Sequence, residues 1–336
     1  MTVKALVRAT THRRHVLGVA ATALTAAVVL SACSSSSKQG SSNPPGSGAT
    51  GQSGTTTGAA APTTSASTSA KPIPTKPVHM SALESDGTTW GVGMPIVLWF
   101  NVAPKTSADF VKQTTVTVNG ASAAGAWYWE ASAHPGAKIE AHYRPDTFWP
   151  AHAQIKVTFP PAGTSAGPGL AFDGKLSSLS IATGDARIGT VDGSSKLTVT
   201  DNGKPWGTFP LALGAANTPT LNGTKVIMYK GRNERMIGSG YDEIVPFSMR
   251  LTNSGEYLHA ASWNVGNIKS GTPSSNGCSN MLPADAAKLF GFMQVGDPVI
   301  YSGVPDAKST MPSWDGYGDW NVSWSTWKQG GQLLNH

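Results

Sequence analysis

Glu256-Tyr-Leu-His-Ala-Ala-Ser-Trp263 and, further along, Ser274-Ser-Asn-Gly-Cys-Ser-Asn280 are the two stretches on which the reading of this chain turns. The first begins as a short apolar strand, Glu256-Tyr-Leu-His259, that closes on an imidazole. The second begins its motif at Ser275, with fifteen residues between His259 and that serine. It is polar and carries Gly277, which is poor core material, yet it holds Cys278. There are only 2 Cys in the sequence, and the other, Cys33, lies in the N-terminal leader. A solitary thiol is either a buried small hydrophobe or a reactive group, and these flanks favour the reactive group. A free cysteine has a pKa of about 8.5, so a neighbouring base is needed to raise its nucleophilicity at neutral pH. His259 is the candidate base.

Outward from this region the pattern is strand and turn. Lys196-Leu-Thr-Val-Thr200 alternates and stops at Asp201-Asn-Gly203, a hairpin turn. Val299-Ile-Tyr301 reads as a strand after Gly296-Asp-Pro298. Pro283 to Phe292 is the one strong helix candidate, with proline suited to the first turn and alanines behind it. Upstream, Pro95–Phe100, Thr114–Val118, Gly125–Trp129 and Gln154–Phe159 are short runs separated by turn residues, among them Asn119-Gly120. They predict an all-β sandwich over 78–183, without the inter-sheet disulfide of antibody domains. Trp127, Trp129 and Trp149 read as core and edge packing rather than a ligand platform. The tail tryptophans Trp314, Trp320, Trp324 and Trp327 also read as packing. His134, His142 and His152 have no Cys or carboxylate at zinc-ligand spacing and read as surface or turn histidines.

The first eighty residues differ in kind. Lys4, Arg8, Arg13 and Arg14 precede an apolar run from Val16 to Leu30, the pattern of a secretion signal over 1–32. The run ends Leu30-Ser-Ala-Cys33, which is similar to the bacterial lipobox and predicts a lipid on Cys33. Between 34 and 72, 34 of 39 residues are Ser, Thr, Gly, Ala or Pro, so 33–77 is expected to be a lipidated cysteine followed by a flexible tether. This leader also accounts for the formal charge of +6. Residues 1–77 hold seven Lys or Arg and no acid, whereas 78–336 hold 18 Lys or Arg against 19 Asp or Glu. No basic stripe interleaved with aromatics remains, which argues against a nucleic-acid partner.

The spaced residues carry a family resemblance. A histidine, a spacer of this length, and [Ser/Thr]-His-Gly-Cys-x-Asn is the signature of L,D-transpeptidases with a YkuD-type catalytic domain. Here it reads His259, then Ser275-Asn-Gly-Cys-Ser-Asn280. Leu258–Trp263, Thr218-Pro219 with Asn222-Gly223, and Gly296–Val299 resemble further family segments. Asp315-Gly-Tyr-Gly-Asp-Trp-Asn-Val-Ser-Trp324 resembles the C-terminal extension of actinobacterial members, which place an immunoglobulin-like domain before the catalytic one. The resemblance covers roughly 80–330. It implies a mainly β protein, with an immunoglobulin-like sandwich over 78–183 and a β-rich YkuD-type catalytic domain with few helices over 184–336.

The resemblance also implies roles. Cys278 is the nucleophile and His259 its base, the imidazole being oriented by the backbone carbonyl of Ala260. The N–H groups of Gly277 and Cys278 hold the oxyanion. Tyr241 matches, by ungapped counting back from His259, a tyrosine that lines the donor site. Ser275, Asn276, Trp263 and Asn280 complete the substrate-binding loop and its support. The implied reaction is peptidoglycan cross-linking: Cys278 is acylated at the third residue of a tetrapeptide stem, D-alanine leaves, and the side-chain amine of a second stem resolves the thioester into a 3→3 link. The implied partners are donor and acceptor stems, carbapenem β-lactams as inhibitors, and a membrane through the lipid; no metal or cofactor is implied. The expected location is extracytoplasmic, lipid-anchored and facing the cell wall or periplasm. One position departs from the pattern: Asn276 stands where the family has His. Asn can donate and accept hydrogen bonds but cannot titrate. If that side chain only orders the loop, Asn276 suffices; if it tunes the thiolate, rate or substrate choice changes. An L,D-carboxypeptidase on the same scaffold and a catalytically weak wall-binding lipoprotein are the alternatives.

Overall fold

The computed structural model describes residues 75–238, 241–307 and 309–333. The signal segment 1–32, Cys33 and the tether up to residue 74 lie outside the described residues. The first strand, Lys76–Val78, begins inside the stretch read as tether and pairs in parallel with Leu170–Phe172.

Two sheets form the N-terminal sandwich. One has the order Met80–Ala82, Ile96–Phe100, Ile139–Pro145, Gly125–Glu130. The other has the order Thr89–Trp90, Ser178–Thr183, Gln154–Thr158, Thr115–Val118, Ala121–Ser122. The last two strands form a hairpin because Asn119 and Gly120 adopt φ of 52° and 84°, the double left-handed turn that this dipeptide tolerates best. The core between the sheets is aromatic. Phe110 meets Trp127 at 5.1 Å and Trp129 at 5.3 Å, edge on, each pair adding about 1 kcal/mol beyond area burial. Trp127, Trp129 and Trp149 are all buried, as the sequence reading expects. Phe110 is delivered by Ala108–Gln113, a six-residue helix too short for periodicity to reveal.

Past Thr183 the chain enters a separate sheet of nine strands. Its order is Gly223–Val226, Pro298–Tyr301, Arg187–Val191, Lys196–Asp201, Lys204–Ala212, Ser279–Met281, Tyr257–Ala260, Tyr241–Arg250, Tyr229–Gly238. Asn202 and Gly203 close the predicted hairpin with φ of 48° and 78°. The predicted helix forms at Pro283–Phe292 and buries Ala286 and Leu289 against the sheet.

The two layers dock through backbone. Gly91 N–H donates to Val295 O and Gly93 N–H to Gly296 O, both at 2.9 Å. A Cβ on Gly91 would lie 2.1 Å from Asp297 N, so only glycine permits this approach. The tail then runs back over the sandwich. Trp327 is buried and its Nε1–H donates to Ala126 O at 2.9 Å. Trp320, Trp324 and Trp327 surround the Arg144 guanidinium, with ring centres 4.8, 5.5 and 4.4 Å from its carbon. Trp314 departs from the packing expectation: it is 64% exposed.

The histidine assignments need one correction. His134 is exposed and stacks on Trp99 at 3.8 Å, and His152 is exposed in a turn with φ of 56°. His142 is neither surface nor turn: it sits within Ile139–Pro145 and is 1% exposed. Alternation puts Ala141 and Tyr143 toward the sandwich core and His142 on the opposite face, and the tail covers that face.

Candidate active site

The spacing between His259 and Cys278 follows from topology. Tyr257–Ala260 and Ser279–Met281 are neighbouring parallel strands, with His259 opposite Asn280 and Leu258 opposite Ser279. Parallel neighbours need a crossover of a dozen or more residues. The crossover here holds a 3-10 turn at Ser262–Asn264 and the helix Val265–Ser270, which stops at Gly271 with φ of 69°. Registered partners face the same side of a sheet, and alternate residues share a face. His259, Asn280 and Cys278 therefore converge on one side, and all three line a cleft of about 460 Å³.

The walls come from four places. The hairpin of Tyr229–Gly238 and Tyr241–Arg250 contributes Met236, Tyr241, Glu243 and Val245. The histidine segment contributes Trp263, the short helix and its cap contribute Asn264 and Asn267, and the cysteine loop contributes Ser274, Ser275 and Asn276. Trp263 is 61% exposed, with its ring centre 6.1 Å from that of His259. Tyr241 and Asn276 stand exposed at the rim, whereas Asn280 is buried. The Oδ1 of Asn280 is buried and has no hydrogen-bond donor among the described residues. Ala260 and Gly277 lie beside the cleft as backbone: the imidazole Nδ1 lies 2.9 Å from Ala260 O. A carbonyl can only accept, so Nδ1 carries the proton and Nε2 presents a lone pair.

The cysteine turn is bound on its inner side. Gly277 adopts φ of 106°, a region that favours glycine. Thr220 Oγ1 donates to Gly277 O at 2.8 Å and Thr218 Oγ1 to Ser275 O at 3.0 Å. Ser275 Oγ donates to Cys278 O at 2.5 Å. The thiol itself donates to Gly255 O at 3.6 Å. Burial pushes the Cys278 thiol up to about 11 and holds the His259 imidazole below its usual 6.5. Both shifts, and the thiol's hydrogen bond to Gly255 O, favour a neutral thiol and a neutral imidazole at rest.

Sequence reasoning missed the layer beneath. Lys225 is fully buried and its ammonium is paired with the buried Glu256 carboxylate. Glu256 Oε1 accepts from Leu221 N–H at 2.7 Å, and the Lys225 Nζ lies 3.9 Å over the Tyr301 ring. Burial pushes Glu256 up and Lys225 down, each opposed by the other's charge. Both charges reach Cys278: the carboxylate raises the thiol and the ammonium lowers it. The signal that was available is Lys225 inside a strand whose following residues, Val226 and Ile227, are wholly apolar.

Among the described residues, the fold and the site together define a cysteine–histidine cleft on a YkuD-type β domain behind an immunoglobulin-like sandwich. Comparisons with known proteins agree. A family model for the YkuD L,D-transpeptidase catalytic domain matches residues 186–300, and one for a bacterial Ig domain matches 3–165. L,D-transpeptidase 1 of Mycobacterium tuberculosis is 30% identical over 245 residues, covering 70% of this chain and 88% of that protein. L,D-transpeptidase 2 of the same organism is 29% identical over 272 residues, covering 76% of this chain; the chain spans 64% of that relative's length. The solved structure of the transpeptidase LdtMt1 in complex with imipenem aligns with a TM-score of 0.56 and 26% identity, over 69% of this chain and 100% of that one. The chain belongs to the L,D-transpeptidases.

Proposed function

We propose that this protein is a peptidoglycan L,D-transpeptidase that forms 3→3 cross-links through a thioester on Cys278. The observation that carries the reading is the convergence of Cys278 and a His259 held by Ala260 O at 2.9 Å on one open cleft. Rotation about the Cys278 Cα–Cβ bond releases Sγ from Gly255 O and turns it toward the cleft. As Sγ bonds to the carbonyl carbon of the third stem residue, its proton passes to Nε2 of His259. The N–H groups of Gly277 and Cys278 take the oxyanion, and one such donor contributes about 3 kcal/mol. Collapse breaks the peptide bond, D-alanine leaves with the proton from the imidazolium, and the thioester remains. The side-chain amine of a second stem then attacks that thioester, gives its proton to His259, and restores the thiol as the cross-link forms.

Tyr241, Trp263, Ser275 and Asn276 contact the donor in this scheme, and Asn280 lies behind them in the same wall. The lipid on Cys33 and the tether behind it would hold the enzyme at the outer face of a membrane, within reach of the wall. Because a relative was solved with imipenem, the same cleft is proposed to accept carbapenems. The test is intact mass of the full chain after incubation with a carbapenem, followed by incubation with tetrapeptide muropeptides. One adduct per chain, absent in Cys278→Ala, together with cross-linked dimers is the expected result. Trimmed monomers without dimers would replace the transpeptidase with a carboxypeptidase, and no adduct at millimolar drug would refute a working nucleophile.

A further inference from the structure

We propose that Glu130, His142 and Asp319 bind one divalent transition-metal ion of the zinc class, which clips the C-terminal tail to the N-terminal sandwich. Glu130 ends the strand Gly125–Glu130, and His142 lies in the adjacent strand Ile139–Pro145. Asp319 comes from the tail, in the 3-10 turn Gly318–Asn321. The three are 6%, 1% and 0% exposed. One ligand atom from each lies within 4.8 Å of the others. His142 Nδ1 is 2.7 Å from Asp319 Oδ1 and 3.8 Å from Glu130 Oε1.

Two features point to a cation rather than to an ion pair alone. Glu130 Oε1 and Asp319 Oδ2 are buried without a hydrogen-bond donor among the described residues. A buried carboxylate oxygen left unpaired costs far more than an exposed one, and a cation seated among Glu130, Asp319 and His142 would satisfy both of these. The surroundings are also built to orient ligands. Ser313 Oγ donates to Glu130 Oε2 at 2.8 Å, which leaves Oε1 free. Glu140 Oε1 lies 3.4 Å from His142 Nε2, and Ser132 Oγ donates to Glu140 Oε2 at 2.6 Å. His142 Nε2 makes no hydrogen bond among the described residues, with Glu140 Oε1 beside it; a proton there, turned to Glu140, would leave an Nδ1 lone pair facing Asp319 Oδ1 and the orphan Glu130 Oε1. This is the carboxylate–histidine–metal arrangement that fixes tautomer and ring angle in metal sites.

Three carboxylates, from Glu130, Glu140 and Asp319, lie against the one imidazole of His142. Arg144 gives hydrogen bonds to Pro145 O and Val322 O and sits among the tail tryptophans. One imidazole nitrogen with two carboxylates suits zinc and its neighbours better than calcium or magnesium, which prefer oxygen alone. On binding, the ion takes the place of the proton shared between Nδ1 and Asp319, and that proton is released to solvent.

The test uses the full chain, without a histidine tag and with Cys278→Ala, so that the active-site thiol cannot hold metal. After stripping with EDTA, the protein is titrated with zinc chloride by calorimetry, and its melting temperature is read with and without zinc. The expected result is one zinc per chain and a rise of roughly 5 °C or more at a hundredfold excess over Kd. Glu140→Gln should weaken zinc about 10- to 100-fold, and Glu130→Gln should weaken it further. If Glu130→Gln fails to fold by circular dichroism, Glu140→Gln supplies the same comparison. No zinc bound at 100 μM, or zinc bound equally well by both variants and the parent, overturns the proposal.

Discussion

Glu256→Gln is the most informative single change in the layer beneath the nucleophile. It keeps side-chain length and the acceptor for Leu221 N–H, and it removes only the charge facing Lys225. Lys225 is wholly buried, so its ammonium then loses its direct ion-pair partner and keeps only the more distant charge of Asp315. Breaking one side of a buried pair typically costs about 3–5 kcal/mol. In a domain of this size each kcal/mol moves the midpoint by about 2–4 °C, so a fall of roughly 10 °C is expected. Lys225→Met alone should cost a similar amount, because it strands the carboxylate. The double variant should recover most of the loss, with a coupling energy of at least ~2 kcal/mol in a urea-unfolding cycle. The same cycle bears on chemistry, because a Cβ on Gly277 would sit 3.7 Å from Glu256 Cγ: the acid packs under the turn that carries Cys278. Alkylation of Cys278 by iodoacetamide should change little in the double variant, since two opposing influences on the thiol leave together. Single variants that each cost under about 1 kcal/mol, or a double variant that costs their sum, would refute the pair as a coupled support.

Three further outcomes follow from the cleft. With the thiol pushed up to about 11, the Cys278 alkylation rate should keep climbing with pH beyond the range of an ordinary thiol; a plateau near neutral pH would reveal a preformed ion pair instead. His259, buried and held below 6.5, stays a neutral base on the acid side of that value, so turnover should persist there, and the stability it contributes should fall as pH drops from 6.5 through the lowered pKa, because the unfolded imidazole binds its proton first; stability by urea titration that rises on acidification across this window contradicts the assignment. Asn276→His should alter carbapenem acylation by no more than about twofold, because Ser275, Thr218 and Thr220 hold the turn and the exposed Asn276 does not; a tenfold gain would assign the family histidine a role in tuning the thiol. Asn280→Ala, which shortens a side chain lining the cleft opposite His259, should slow acylation by a peptide donor at least tenfold while leaving iodoacetamide alkylation near its parent rate, and equal losses in both assays would make Asn280 a structural support only.

The sequence carried the fold wherever the cause was local. Asn119-Gly120 and Asn202-Gly203 mark hairpins because few other residues accept two successive positive φ values, and Pro283 marks a helix start because its missing N–H is free there. The His259-to-Cys278 spacing was legible for a topological reason: it is the length of chain that two adjacent parallel strands need for their crossover. Short helices such as Val265–Ser270 were not legible, since six residues make less than two turns and leave no periodicity to detect.

What escaped reading is what depends on a covering segment far along the chain. His142 alternates outward from its sandwich, and by pattern alone an outward polar residue belongs to solvent. The tail reverses that, placing Asp319 against it from 177 residues away. Lys225 and Glu256 are 31 residues apart, and no local pattern in the sequence pairs them. In both clusters the polar groups stand on the side of a strand that its own alternation assigns to water or leaves unassigned, and a later segment then closes over them. Each closure forces the same physical problem, polar groups removed from solvent, and the chain meets it differently: an internal ammonium under the nucleophile, and beneath the tail an imidazole set between the carboxyl groups of Glu130 and Asp319.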